Sequence, residues 1–276
     1  LNCDLKTLYP LARSMNRKLE FYVGPTNSGK TYNAMKKLKE ANSGLYLAPL
    51  RLLALEGYED LKESKIEASL ITGEEQQLSE DAAHICSTIE MLDFDLEVDV
   101  AVIDEVQMLE DNDRGWAWVN AIIGVPAKKV IMTGSVNALD AVKKIVQYLD
   151  EELEVVRHKR KNPLLVLKKW TPLEKLENGT ALIAFSRAEV LKLKQKLQKK
   201  YSVSVIYGNL SPEVRRDEAR RFRDGQSQIL IATDAISMGL NLPIKTILFT
   251  TDTNFDGISK RKISVNAIVQ IAGRAG

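Results

Sequence analysis
A chain of 276 residues with 45% hydrophobic content and ordinary glycine and proline is long enough for two domains and too apolar to be disordered. Its formal net charge of +2 excludes a polycation, so any grip on nucleic acid has to come from local placement of charge. Two cysteines far apart, Cys3 and Cys86, and only two histidines exclude a disulfide framework and a zinc-type cluster. No run reaches the ~18 apolar residues of a membrane span, and the start lacks the apolar core of a signal peptide; a soluble intracellular protein is expected. The chain opens at Leu1 without Met and stops at Gly276 inside a motif-like segment, so it reads as a piece of a longer protein.

Taken in order, Leu19-Glu20-Phe21-Tyr22-Val23 alternates as a strand does, and Tyr32 to Leu38 is rich in helix formers. Between them lies Gly24-Pro25-Thr26-Asn27-Ser28-Gly29-Lys30-Thr31, two glycines followed by Lys and Thr at the spacing of a phosphate-cradling loop. Backbone amides and the positive end of the helix surround phosphates in such a loop, while Lys30 reaches the terminal ones and the Thr31 hydroxyl ligates magnesium. An ordinary strand-to-helix turn has no need of Gly-Lys-Thr at that offset. The expected ligands are therefore ATP, or another nucleoside triphosphate, and Mg2+.

Short apolar segments then alternate with amphipathic ones. Gly44 to Ala48, Ala68 to Ile71, Ala83 to Cys86, Val98 to Ile103 and Lys129 to Thr133 read as strands separated by helices. Val98 to Ile103 is mostly β-branched, as a strand covered on both faces would be, and Asp104-Glu105 follows its C-terminal end. Ligands of open parallel sheets lie beyond the carboxyl ends of the strands, so the acidic pair and the glycine loop converge. Asp104 would hold the magnesium, and Glu105 would orient and polarise the attacking water. Three further stretches follow strands and should surface on the same edge. They contain Pro49 and Arg51, then Thr72 and Gly73, then Thr88 and Glu90. They offer amides, hydroxyls and a cation to a phosphate backbone without reading sequence, although each by itself also reads as a helix cap. Trp116 and Trp118 read as buried helix packing, and His84 near Cys86 as coincidence within a strand.

Charge changes character at Arg157-His158-Lys159-Arg160-Lys161-Asn162, ending at Pro163. A domain boundary is placed there, giving residues 1–156 and 157–276. A second alternating set follows, with strands at Leu164 to Leu167, Thr180 to Phe185, Val203 to Ile206, Gln228 to Ala232 and Thr246 to Phe249. It has no second glycine loop, so it repeats an α/β architecture without repeating the nucleotide site. Thr233, Gly239, Asn241 and the segment from Gln270 to Gly276 fall where this domain would face the nucleotide, and an arginine there would act as a finger on the transition state.

In order and spacing, Gly24 to Thr31, Ala48 to Ala54, Asp104 to Gln107, Thr133 to Ser135, Ile229 to Leu242 and Gln270 to Gly276 resemble a superfamily-two helicase core over essentially the whole chain. The Suv-three family, the ATP-dependent RNA helicase of the mitochondrial degradosome and its bacterial relatives, is similar in finer detail. It shares Thr-Gly-Glu-Glu, Asp-Glu-x-Gln with Arg-Gly-Trp-Ala-Trp soon after, Tyr-Gly-Asn-Leu, and Ala-Thr-Asp-Ala-Ile with Met-Gly-Leu-Asn-Leu. The resemblance implies two tandem RecA-like domains, each a mostly parallel sheet flanked by helices, with ATP between them and single-stranded nucleic acid across their tops, RNA favoured over DNA. It implies phosphate binding by Gly29 and Lys30, magnesium at Thr31 and Asp104, water activation by Glu105 and domain coupling by Gln107. It further implies nucleic-acid contact around Pro49, Arg51, Thr72, Gly73, Thr88, Glu90, Gly208 and Thr233, ATP sensing by Gly239 and Asn241, and phosphate contact by Gln270 and Arg274. A ribonuclease partner follows from the resemblance, with the bacterial cytoplasm favoured as the place of action and the mitochondrial matrix as the alternative. Two departures stand out: the last motif stops before its second arginine, and the family's C-terminal accessory region is missing. A P-loop phosphotransferase would share Lys30 and Asp104 but has no use for the second domain. A non-catalytic clamp would not need Lys30, Asp104 and Glu105 together.

Overall fold
Alternating side chains along short parallel strands set the layers of the first half of the protein. In a computed structural model, residues 4–160, 163–166, 171–208, 210–233, 236, 242–251, 253–255, 260–262 and 265–274 are described. The chain divides into two compact units, Leu1–Arg160 and Lys161–Gly276. After a short 3-10 turn, the first unit runs α1 (Pro10–Ser14), β1 (Lys18–Val23), α2 (Lys30–Glu40), β2 (Gly44–Ala48), α3 (Arg51–Glu63), β3 (Ala68–Ile71), β4 (Gln76–Gln77) and β5 (His84–Thr88). It continues through β6 (Val98–Ile103), α4 (Gly115–Gly124), β7 (Ala127–Gly134), α5 (Leu139–Tyr148) and β8 (Leu153–Arg157).

The eight strands form one sheet in the order β4-β3-β5-β2-β6-β7-β1-β8. All pairings are parallel except that of the two-residue edge strand β4 with β3. Because successive residues of a strand point to opposite faces, Leu19, Phe21, Val23, Leu45, Leu47, Ala101 and Ile103 pack on one side with Trp118 and Ile122 of α4 and Val142 and Val146 of α5. Tyr22, Tyr46, Ala48, Val100 and Val102 pack on the other with Met35 and Leu38 of α2 and Leu55, Tyr58 and Leu61 of α3. Each large apolar side chain so buried contributes roughly 1.5–3 kcal/mol, which explains why strands covered on both faces carry few polar residues. The parallel ladder also brings the C-terminal ends of β1, β2, β3, β5, β6, β7 and β8 to one edge. The end of β7 lies between those of β1 and β6.

The second unit holds β9 (Thr180–Ile183), α6 (Arg187–Leu197), β10 (Val203–Ile206), α7 (Pro212–Arg223), β11 (Ile229–Ala232) and β12 (Thr246–Phe249). These strands form a parallel sheet in the order β10-β11-β9-β12. A small antiparallel hairpin, β13 (Thr253–Phe255) with β14 (Lys260–Lys262), and α8 (Val265–Ala272) follow. Ser186 caps α6 by accepting from the Glu189 amide at 3.1 Å, an ordinary N-cap, while the Glu189 carboxylate reaches back past the cap to the Phe185 amide at 3.3 Å. Val190, Leu197, Val203, Val205, Ile229 and Ile231 form this unit's own core.

Two local expectations fail for stated reasons. The strand expected over Leu164 to Leu167 is not formed in its described part, residues 164–166, where Leu165 and Val166 are exposed. Composition supplies β-propensity, but a strand needs a neighbour to complete its hydrogen bonds. Trp118 is fully buried as expected, whereas Trp116 is 57% exposed; residues two apart on a helix face different ways, so the core accepts only one of the pair. His84 opens β5, buried, with Nε2 3.0 Å from the Leu38 carbonyl. Among the described residues no helix is long and apolar enough to cross a membrane.

Candidate nucleotide site and nucleic-acid edge
The loop between β1 and α2 is shaped by backbone conformations that side chains seldom adopt. Gly29 caps α2 at φ +79°, and Asn27 sits at φ +59°, left-handed values that glycine takes freely and asparagine tolerates. Gly24 donates to the Gly134 carbonyl at 3.1 Å, and a Cβ on it would stand 2.6 Å from the His158 carbonyl. The first helical residue, Lys30, is only 7% exposed, and its Nζ donates to the Pro25 carbonyl at 3.2 Å. The Ser28 Oγ is buried with no hydrogen-bond partner. A buried hydroxyl without a partner is costly, and the Lys30 ammonium is folded back on its own loop with a backbone carbonyl for a partner. Pro25 and Thr26 complete the loop, and Arg160 donates to the Thr26 carbonyl at 3.1 Å.

Asp104 follows β6 and is 2% exposed. Its carboxylate accepts from the Thr31 hydroxyl at 3.1 Å, the Tyr46 hydroxyl at 2.9 Å, the Glu105 amide at 3.1 Å and the Thr133 hydroxyl. Burial pushes its carboxyl above the ordinary carboxylate value and the neighbouring Glu105 charge adds to that, while Thr133, Tyr46 and Lys30 pull it back. Burial and Asp104 together hold the Tyr46 phenol well above its ordinary value, so it remains a donor. Glu105 occupies the left-handed region at φ +54°, a conformation costing of order 1–3 kcal/mol in a non-glycine residue and typical of functional positions. Its carboxylate accepts from Gln107 Nε2, and Gln107 Oε1 accepts from the Ser135 amide at 3.2 Å. Thr31, Asp104, Glu105 and Gln107, expected as one constellation, are joined through direct hydrogen bonds. Among the described residues no group of three His, Cys, Asp or Glu could hold a metal. The Thr31 and Asp104 oxygens are nevertheless the sparse set that magnesium takes from a protein when phosphates and water supply the rest.

The three loops expected to meet nucleic acid follow β2, β3 and β5, which are neighbours. Their side chains are more committed than the sequence suggests. Arg51 pairs with Glu74 and, at 2.9 Å, with Glu75. The Thr72 hydroxyl is engaged with the Glu75 backbone at 3.0 Å in both directions, while space is open beside Gly73. Thr88 ends β5 without capping the following turn, whose Glu90 accepts from Arg114 Nε at 2.8 Å. Arg114 also donates to the Pro49 carbonyl at 2.6 Å.

In the second unit, the Gly208 carbonyl accepts from Arg215 at 3.1 Å. The Thr233 amide donates to the Ile206 carbonyl at 3.0 Å, just past β11. Gln270 lies within α8, and the Arg274 amide closes that helix on the Ile271 carbonyl at 3.0 Å. Gly239 and Asn241 lie outside the described residues. Sequence reasoning missed Tyr46, an apolar-strand residue whose hydroxyl matters only once β2 lies beside β6. It also missed His158 and Arg160, read as linker although they brace the phosphate loop, with His158 Nε2 3.0 Å from Asn33 Nδ2.

The family described as the DEXQ-box helicase domain of Suv3 matches residues 6–158, and the helicase conserved C-terminal domain matches residues 162–276. The chain is 44% identical over 275 residues to the mitochondrial ATP-dependent RNA helicase SUV3 of Candida albicans, covering 97% of this chain and 38% of that protein. To the mitochondrial DExH-box ATP-dependent RNA helicase DExH16 of Arabidopsis thaliana it is 41% identical, covering 98% of this chain and 48% of that protein. It thus spans less than half the length of these relatives. Among solved structures, Saccharomyces cerevisiae Dbp5 bound to RNA and ADP–BeF3 superposes with a TM-score of 0.61 at 16% identity, over 99% of this chain and 80% of that one. The helicase MrfA bound to DNA superposes at 0.66 and 18% identity, over 99% and 46%; both are two-unit helicase folds of the RecA-like kind. With the Asp104-Glu105-Val106-Gln107 box beside the phosphate loop and a family match over more than half of its residues, this chain belongs to the Suv3 family of DEXQ-box helicases.

Proposed function
We propose that the chain is the ATP-hydrolysing core of an RNA helicase, with the nucleotide held by residues 1–156 and residues 157–276 forming the second RecA-like domain. The observation that carries this reading is the Thr31 hydroxyl 3.1 Å from the Asp104 carboxylate, with Glu105 next in the chain and fixed by Gln107. Lys30 leaves the Pro25 carbonyl for the terminal phosphates, and the Ser28 hydroxyl gains an acceptor. Thr31 and Asp104 would hold Mg2+, which when bound would neutralise charge that develops on the phosphates. Glu105 accepts a proton from the attacking water, and Gln107 keeps its carboxylate aimed. Gln270 and Arg274 are the proposed phosphate contacts of the second domain, with Gly239 and Asn241 as nucleotide sensors. Pro49, Arg51, Thr72, Gly73, Thr88, Glu90, Gly208 and Thr233 form the proposed path of a single strand.

RNA is favoured over DNA because the relatives are named RNA helicases. Their mitochondrial names favour the mitochondrial matrix, and nothing in them supports the bacterial cytoplasm expected first. A ribonuclease partner is proposed on the family resemblance. The test is the ATPase rate with and without single-stranded RNA and single-stranded DNA. RNA should stimulate more strongly than DNA, and Glu105→Gln should still bind nucleotide while turnover falls ~100-fold or more. A Glu105→Gln protein that hydrolyses ATP at the normal rate overturns the assignment of the base.

A further inference from the structure
Arg114 belongs neither to the phosphate loop nor to the acidic box, yet its side chain joins three parts of the first unit. Its Nη2 donates to the Pro49 carbonyl at 2.6 Å and its Nε to Glu90 at 2.8 Å. Its guanidinium lies over the Trp118 ring, 5.4 Å from the centroid. Trp118 is fully buried, and its indole N–H donates to the backbone carbonyl of Asp104 at 2.9 Å. An unbroken set of contacts therefore runs from Asp104 to the two loops after β2 and β5. An exposed ion pair alone contributes only ~0–1 kcal/mol, and the Arg114 and Glu90 side chains are about one third exposed, at 33% and 31%. Stability is thus a weak reason for this arrangement. Arginine's planar fork serves two acceptors at fixed angles while stacking on a ring, which the single ammonium of lysine cannot do.

We propose that Arg114 is a positioning residue that locks the Pro49 and Glu90 loops into one nucleic-acid-binding edge and, through Trp118, ties that edge to Asp104. Nucleic acid on the edge is thereby sensed at the nucleotide, and by reciprocity nucleotide tightens the grip on nucleic acid. Arg114 directs its Nε and Nη2 donors to Glu90 and the Pro49 carbonyl, so its part in the edge is to hold the two loops together. The inference rests on the helicase reading above.

The test follows the ATPase rate of the full chain against single-stranded RNA at several salt concentrations. It compares the natural protein with Arg114→Lys, Arg114→Gln, Trp118→Phe and Glu90→Gln. Arg114→Lys should raise the half-stimulating RNA concentration ~10-fold, within the range of coupling between sites, and Arg114→Gln should raise it at least as much while leaving its dependence on salt unchanged. Trp118→Phe keeps a ring for the stack but loses the N–H, so RNA should bind nearly as before in the absence of nucleotide, while the tightening by nucleotide and the ratio of stimulated to unstimulated rate both fall. Glu90→Gln, on a surface turn where folding is not at stake, should move the half-stimulating concentration as Arg114→Lys does, by less. A salt slope that drops by about one in Arg114→Gln, which removes the charge that lysine keeps, marks a direct phosphate contact and overturns the proposal. So do Arg114→Lys and Glu90→Gln proteins that match the natural one. If the natural protein is not stimulated by RNA or DNA, the helicase reading itself fails and takes the inference with it.

Discussion
At Asp104, four donors converge on a carboxylate that burial drives toward its protonated form. The proposed metal-binding role requires the ionised form, which the Thr133 and Tyr46 hydroxyls favour and burial opposes. The Tyr46 hydroxyl is one of the groups that lower the Asp104 value, and removing it raises that value further. Tyr46→Phe should therefore shift the acid limb of the ATPase pH profile to higher pH, with activity above the limb reduced much less. A pH profile superposing on that of the natural protein would show that Tyr46 has no part in tuning Asp104. Cys86, by contrast, has its thiol pushed up by burial, which leaves it unreactive.

Helix α3 reaches the same carboxylate through packing. A Cβ on Gly57 would stand 2.6 Å from Cδ1 and 2.8 Å from Cε1 of the Tyr46 ring. Gly57 therefore lets the helix press on the ring that holds Asp104. Within a helix, alanine in place of glycine normally gains ~1 kcal/mol. Here the gain competes with displacement of a buried ring, and overpacking costs about 1–3 kcal/mol. The clash wins because Tyr46 is held in place both by its hydrogen bond and by the core. Gly57→Ala should lower stability by ~1 kcal/mol or more in denaturant titrations and weaken magnesium–nucleotide binding. Increased stability would mean that the ring moves freely. Elements whose role is local were legible in the sequence: the strand over Val98 to Ile103 and the glycine loop need only their own residues. The edge strand β4 was not, since Gln76 and Gln77 carry no apolar pattern and pair only because the chain turns back after β3.

For the whole molecule, each unit has its own sheet and its own core. The first carries both faces of an eight-stranded sheet under helices, which is the condition for independent folding. Residues 1–160 alone should unfold in a single cooperative thermal transition followed by circular dichroism and retain affinity for an ATP analogue. A broad, non-cooperative melt would show that the second unit is needed to complete the first.

The α/β class, the phosphate loop, the acidic box and the helicase family were determined by the sequence alone. They rest on residue types at fixed short spacings, and strand–loop–helix periodicity carries them without knowledge of what lies alongside. Only the tertiary structure decided which side chains are free to act. Arg51 is spent on Glu74 and Glu75, and the Thr72 hydroxyl on a turn, because those partners are close in space whatever their chemistry suggests. Tyr46, Arg114, His158 and Arg160 acquire meaning from strand order, which sets β2 beside β6 and β1 between β7 and β8. Hydrogen bonds across tens of residues follow from that order, and spacing along the chain cannot express it.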